Sequence, residues 1–536
     1  MMKKIRYIAL LLLATLVTSA YAQRPRMAVN IVIGGLRADD LQRYDKNFSA
    51  DGFRRLLNGG AVFTECYLDY VPSSSAASLA SISTGTTPSS HGVSAERWFD
   101  RTSGNTEIAL CHKKASTVLG APAVGIGTIY TTDHLTAQTL TDAATTFRSD
   151  ARCITIAHEP LSAMMLAGKS GECYWIDEKG GWASADCYTN TLPDWVKLHN
   201  NLTFNKVFVL GAWFGKFTQS QYINSRRSSI KLYEFSSKQK TVTNAVPVNW
   251  VEELRTTPAG NAAILEFAKK AVNALLTDKR YQGDCKVVNI CLDIPRSIAQ
   301  RYGTESIEYE DMLYRLDSSL GEFLTHLFSQ TKNHDEIVVS LCADHGTSPS
   351  YKNGTTEKER FNARQAEVIL NAFLSTRHGQ GKWVLGYADG AIYLNHDLVY
   401  ERKLTVDSIR AEATTFAQQF RCVANAVSAS NLQNGTFTKG ALRLIQNSFY
   451  PRRSGDVVLW MTPERIEELP NRMADSGSPY NYDRHVPLII YGGGIPAARI
   501  ARRVCVTQLA PTLASLLGLP RPYSSDAEIL TEIKHK

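Results

Sequence analysis

Five short apolar runs rich in β-branched residues constrain this chain more than anything else in it. They are MAVNIVIG (27–34), RCITIAH (152–158), CKVVNICLD (285–293), EIVVSLCA (336–343) and VPLIIYG (486–492). Each is long enough for one buried strand and too short for a buried helix. Between them lie helical patterns such as GFRRLLNGG (52–60), LTAQTLTDAATTFRS (135–149), NAAILEFAKKAVNALLTD (261–278) and YEDMLYRLDSSLGEFLTHLFSQ (309–330). Strands without polar alternation, separated by amphipathic helices, predict a doubly wound, mostly parallel α/β sheet with helices on both faces. In such a sheet functional residues gather beyond the carboxyl ends of the strands.

The segment from about 385 to 465 has a different rhythm: GAIYLN, VDSIRAEATTFAQQF, RCVANAVSA, GALRLIQNSF and DVVLWM. It reads as a β-α-β-α-β insertion of ferredoxin-like α+β type. The expected organisation is a core over 23–380, the insertion over 381–470 and the rest of the core over 471–536, with a further cap insertion at 190–255. An aromatic-rich cap of Trp175, Trp182, Trp213, Phe214, Phe217 and Tyr222 reads equally as a binding face or as a cap core.

Residues 1–22 are expected to be removed. Lys3, Lys4 and Arg6 precede the apolar run IALLLLATLV, and Ala20-Tyr21-Ala22 fits the small-x-small rule of signal peptidase, which predicts export with no membrane span in the mature chain. Loss of three basic residues takes 59 to 56 against 51 acidic, a net charge of +5. So mild an excess, scattered in basic pairs, excludes a nucleic-acid partner. Among ten cysteines, Cys173 and Cys187 flank the hairpin ECYWIDEKGGWASADC and are the pair best placed for a disulfide; Cys342 reads as a small buried side chain.

The strand ends carry the chemistry. After the first strand comes GGLRADD (34–40), and after the next loop YVPSSSAASLASISTGTTPSSHG (70–92), a serine-rich turn running into a helix. A hydroxyl at such a helix start is either a nucleophile or a cap. CKVVNICLD leads to IPRSIAQRYG (294–303), EIVVSLCA leads to Asp344-His345-Gly346, and SGSPYNYDRH (476–485) precedes VPLIIYG.

These blocks, with TQLAPTLASLLGL (507–519), resemble the bimetallic alkaline phosphatase superfamily, in particular the periplasmic phosphate-irrepressible (PafA-like) alkaline phosphatases of Bacteroidetes and the type I phosphodiesterases/nucleotide pyrophosphatases. The resemblance implies that fold, a hydroxyl nucleophile at Ser75 and six metal ligands. It maps retained ligands onto Asp344, His345 and His485, and replaced ones onto Gly34, Arg296 and Gln300. The oxyanion helpers fall on Glu96, Glu159 and Leu161, all replaced. Three readings follow. The first is a catalytically impaired protein with a degenerate bimetallic site, serving binding or scaffolding in the cell envelope with an envelope-protein partner. The second is a phosphoesterase using Ser75 with one metal on Asp344 and His345. The third is a binder of phosphorylated or sulfated small ligands. No cofactor is expected, or zinc if a residual site is filled. Arg296 is expected within salt-bridge reach of Asp344, Glu96 or Glu159.

Overall fold

The computed structural model describes residues 24–112, 118–119, 130–201, 213–226, 250–353, 356–357 and 359–533. The expected signal segment 1–22 and most of the expected cap at 190–255 lie outside them. Ten strands form the main sheet: β1 (Met27–Ile33), β2 (Ala61–Phe63), β3 (Val118–Leu119), β4 (Ala151–Ile156), β5 (Glu172–Ile176), β6 (Trp182–Ala185), β7 (Cys285–Leu292), β8 (Ile337–Ala343), and, late in the chain, Leu488–Gly492 and Ala498–Ile500.

The centre of the sheet runs β8-β1-β7-β4-β5 and is parallel throughout. All seven residues of β1 are buried, as are all seven of β8. That two-sided burial is why these runs lack polar alternation. Truncating one such side chain, Ile31 for example, would leave a cavity costing about 2–5 kcal/mol.

Helices α1 (Ser75–Thr84), α2 (Leu140–Phe147) and α3 (Pro160–Ala167) pack together on one face. On the other lie α4 (Ala259–Thr277), α5 (Ile294–Tyr302) and α6 (Ile307–Ser329). The alternation read from the sequence thus gives the doubly wound architecture. Trp175 and Trp182 belong to β5 and β6 and are core residues, Trp182 stacking on Phe267 at 3.8 Å.

The insertion is α+β, with a strand order unlike a ferredoxin-like unit. Its four strands are β9 (Val384–Ala388), β10 (Ala391–Leu394), β11 (Val423–Ser428) and β12 (Val457–Met461), ordered β9-β10-β12-β11 and antiparallel throughout. The sequence reading missed β9. It pairs with β10 through a turn at Asp389-Gly390, both at positive φ (42° and 81°), which closes a tight hairpin and puts the first strand at the sheet edge. Helix α7 (Ala363–His378) also joins this unit: its Leu370 and Leu374 are buried with Trp383, Ile392 and Val457, upstream of the expected boundary at 381. The late core strands are β13 (Leu488–Gly492) and β14 (Ala498–Ile500), and β13 pairs antiparallel with β8.

Cys173 and Cys187 are both unpaired thiols: Cys173 points into the core from β5 and Cys187 lies exposed beyond β6. Cys342 is buried, as its strand pattern predicts.

Candidate active site

The carboxyl ends of β1, β4, β7 and β8 converge on the floor of a cavity of about 550 Å³. The insertion supplies its far wall through Tyr387, Asp389, Trp460 and Glu467. The floor is organised around one cation. The Arg296 guanidinium, buried in α5, places Nη2 3.0 Å from Glu159 Oε2 and 3.4 Å from Asp293 Oδ1, and Nη1 3.5 Å from Asp344 Oδ2. Nη1 also donates to Ser75 Oγ. Burial works against the charge on Arg296, and Glu159, Asp293, Asp344 and Glu96 outweigh it, so its pKa stands above that of free arginine.

Gly34 follows β1 and lies against the stem of this arginine. A Cβ there would lie 3.3 Å from Arg296 Cβ, so the missing side chain at 34 makes room for the arginine stem. Asp344 Oδ1 accepts the N–H of Gly35 at 2.9 Å and of His345 at 2.7 Å, which aims Oδ2 at the guanidinium. His345 sets Nε2 2.9 Å from Ser75 Oγ, with Nδ1 2.6 Å from the Gly346 carbonyl. Ser75 is the first residue of α1, whose cap is Ser74, accepting from the N–H of Ala77. The cap of this serine-rich turn is Ser74, and Ser75 faces the pocket.

The other expected positions divide. Glu159 pairs with Arg296. Glu96 lines the cavity, where burial pushes its carboxyl up to about 7 against the pull of Arg296. Gln300 lines the cavity, while Leu161 packs against the hydrophobic core. His485 is a correction. It does not line the cavity: its ring stacks on Tyr67 with centroids 4.7 Å apart, and Nε2 lies 2.8 Å from the Thr64 carbonyl, to which it donates. The histidine closes an isolated bridge to Tyr67 next to the sheet, and that backbone pairing turns its side chain away.

Two floor residues escaped the sequence reading. Asp293 accepts from Ser162 Oγ at 2.5 Å and from the N–H groups of His158 and Glu159 at 3.1 and 3.3 Å. Burial raises its carboxyl to about 6, with Arg296 opposing. An acid closing a strand was the available signal, in CKVVNICLD itself. Ser476 brings its hydroxyl 3.5 Å from His345 Nε2. Nothing in SGSPYNYDRH singles it out.

The donor set does not fit a bound zinc ion. Structural zinc takes four protein ligands and catalytic zinc three with water. Here Asp344 and His345 stand without a third, the guanidinium fills the space beside them, and Nε2 is engaged with Ser75. Among the described residues no group of three His, Cys, Asp or Glu side chains is arranged to hold a metal.

Comparison with known proteins places the chain in a family. The profile of the family "Type I phosphodiesterase / nucleotide pyrophosphatase" matches residues 28–466. Alkaline phosphatase PafA of Elizabethkingia meningoseptica is 25% identical over 526 residues, covering 95% of this chain and 94% of that protein. A protein of Myroides odoratus named calcium-transporting ATPase is 27% identical over 517 residues, 93% of each chain. The crystal structure of wild-type PafA superposes with a TM-score of 0.84 at 23% identity, over 95% of this chain and 99% of that one. Murine ectonucleotide pyrophosphatase/phosphodiesterase 5 gives a TM-score of 0.53 at 12% identity, over 93% and 96%. The chain belongs to the type I phosphodiesterase/nucleotide pyrophosphatase family of the alkaline phosphatase superfamily.

Proposed function

We propose that this chain is an exported member of the family that has lost metal-dependent phosphomonoester hydrolysis and uses its pocket for binding in the cell envelope. Arg296 carries the reading. A guanidinium among Glu159, Asp293 and Asp344 supplies the floor with one fixed positive charge against three acids. A phosphoryl transition state needs concentrated positive charge on its equatorial oxygens, and Glu96 adds a further carboxylate. Export rests on the N-terminal signal pattern, and no helix among the described residues is long and apolar enough to cross a membrane.

The test is turnover of an aryl phosphate by the purified chain with and without zinc. Loss of one oxyanion donor costs about 10²–10³ in rate, so the expected result is no turnover above background. Zinc-dependent turnover abolished in Ser75→Ala would replace this reading with a metal-dependent phosphoesterase.

A further inference from the structure

The floor retains a set of groups that needs no metal. The Gly346 carbonyl can only accept, so His345 Nδ1 carries a proton; in the neutral imidazole Nε2 is then the acceptor, 3.4 Å from Asp344 Oδ2. Ser75 Oγ lies 2.9 Å from Nε2 and donates to it in that tautomer. The same oxygen accepts from Arg296 Nη1. Ser75 also opens a ten-residue helix, and its own N–H and that of Ala76 precede the first intrahelical bonds. A nucleophile, a base held in one tautomer and donors beside the reacting oxygen are the parts of serine-dependent acyl transfer.

We infer that Ser75 and His345 form a metal-independent nucleophile–base pair acting on uncharged carboxylic esters, with Arg296 and the start of α1 beside the developing oxyanion. The inference rests on the metal-free part of the reading above and goes beyond binding, to turnover of one ligand class. Charge selects that class. Three carboxylates around one guanidinium leave the floor negative, which repels a phosphate dianion and leaves an uncharged ester unaffected. Val458, Leu459, Met461 and Ile466 give the wall apolar surface for the ester's carbon chain.

In the first step Ser75 passes its proton to His345 Nε2 as Oγ bonds to the acyl carbon, and the carbonyl electron pair moves onto its oxygen. Collapse breaks the bond to the alcohol oxygen, which leaves with the proton from Nε2. Water then attacks the acyl-serine, gives a proton to Nε2 and releases the acid, and that proton returns to Ser75 Oγ. Atoms balance as ester plus water to acid plus alcohol.

The test uses the natural chain in EDTA with p-nitrophenyl butyrate and a fluorophosphonate probe, read by p-nitrophenol release and by peptide mass spectrometry. The expected result is EDTA-resistant hydrolysis and a stoichiometric adduct on Ser75. Both should vanish in Ser75→Ala and slow about 100-fold in folded His345→Gln. An adduct forming equally fast in His345→Gln overturns the inference. Should that variant fail to fold, the natural chain is compared with its urea-unfolded form, and labelling no faster than in the unfolded chain overturns it too. Labelling and hydrolysis that require added zinc overturn the metal-free reading, whereas no adduct with or without zinc overturns this inference alone.

Discussion

Two buried ion clusters, one in the insertion and one on the core floor, are built in opposite senses. In the insertion a single carboxylate, Asp456, is held by two arginines, Arg101 Nη2 at 2.6 Å and Arg410 Nη2 at 2.7 Å, with His396 Nε2 at 2.8 Å and the N–H of Leu394 donating at 2.7 Å. On the floor a single cation, Arg296, is surrounded by Glu159, Asp293 and Asp344. Arginine does not lose its proton at any pH a protein survives, whereas a crowded carboxyl can gain one. Burial works against ionised Asp456, and His396 and Arg101 overcome it, so its pKa lies below the usual carboxylate range. Asp293 and Glu96 move the other way, to about 6 and about 7. The insertion's cluster is locked in charge, and the floor's cluster can relax.

Removing the centre of each should therefore cost differently. Breaking a buried ion pair from one side costs about 3–5 kcal/mol, because the abandoned charges stay buried. Asp456→Ala strands two arginines that cannot neutralise, so urea denaturation should show the full loss at pH 5 and at pH 8. Arg296→Ala strands carboxylates that can protonate, so its loss should be full at pH 8 and clearly smaller at pH 5. Equal losses at the two pH values in both variants would erase the contrast.

The next effect is steric coupling. Gly34→Asp alone forces a side chain against the Arg296 stem, an overpacking penalty of about 1–3 kcal/mol. Adding Arg296→Asp removes that contact, and the double-mutant cycle should give a coupling of about 0.5–3 kcal/mol. Simple additivity would mean that the two positions do not share space.

The pH dependence of stability separates the clusters without touching Arg296. Asp293 has a folded pKa raised above its ordinary 3.8, so the folded state binds its proton more tightly than the unfolded chain does. Its contribution to stability is present below about 4 and lost as pH rises to about 6; Asp293→Asn should flatten the stability curve in that window. Asp456 has a folded pKa below 3.8, so its contribution is present above that value and lost as pH falls through the folded one. Asp456→Asn should flatten the acid limb below pH 4. A common window for both variants would contradict the assignment.

The smallest effect belongs to the rim, where Arg97 pairs with Asp389 at 3.0 Å with its side chain 47% exposed. Arg97→Ala should change stability by only about 0.2–1 kcal/mol.

The sequence made the sheet legible because two-sided burial writes itself as unbroken apolar runs; strand ends narrowed the search for the site, and the family resemblance implied Ser75 and Arg296 as its positions. The charge change at Arg296 pointed to acid partners, and Asp344 and Glu159 are among them. Side-chain direction in irregular segments was not legible. His485 and Ser476 sit nine residues apart on either side of the short helix Asn481–Arg484, and the bridge to Tyr67 accompanies the histidine's turn away from the pocket. The Asp389-Gly390 hairpin was equally hidden: a reading that began the first strand at Gly390 took the turn for its start, and only positive φ at both positions exposes β9.

The central claim, that a fixed arginine stands where the family's metal chemistry was, is tested most directly by zinc analysis of the purified natural chain beside the Gly34→Asp, Arg296→Asp, Gln300→His triple variant. The account predicts no stoichiometric zinc in the natural chain, and zinc in the variant, where the first substitution adds a carboxylate next to Asp344 and His345 and the other two clear the cation and add donors. Near-stoichiometric zinc in the natural chain would contradict it.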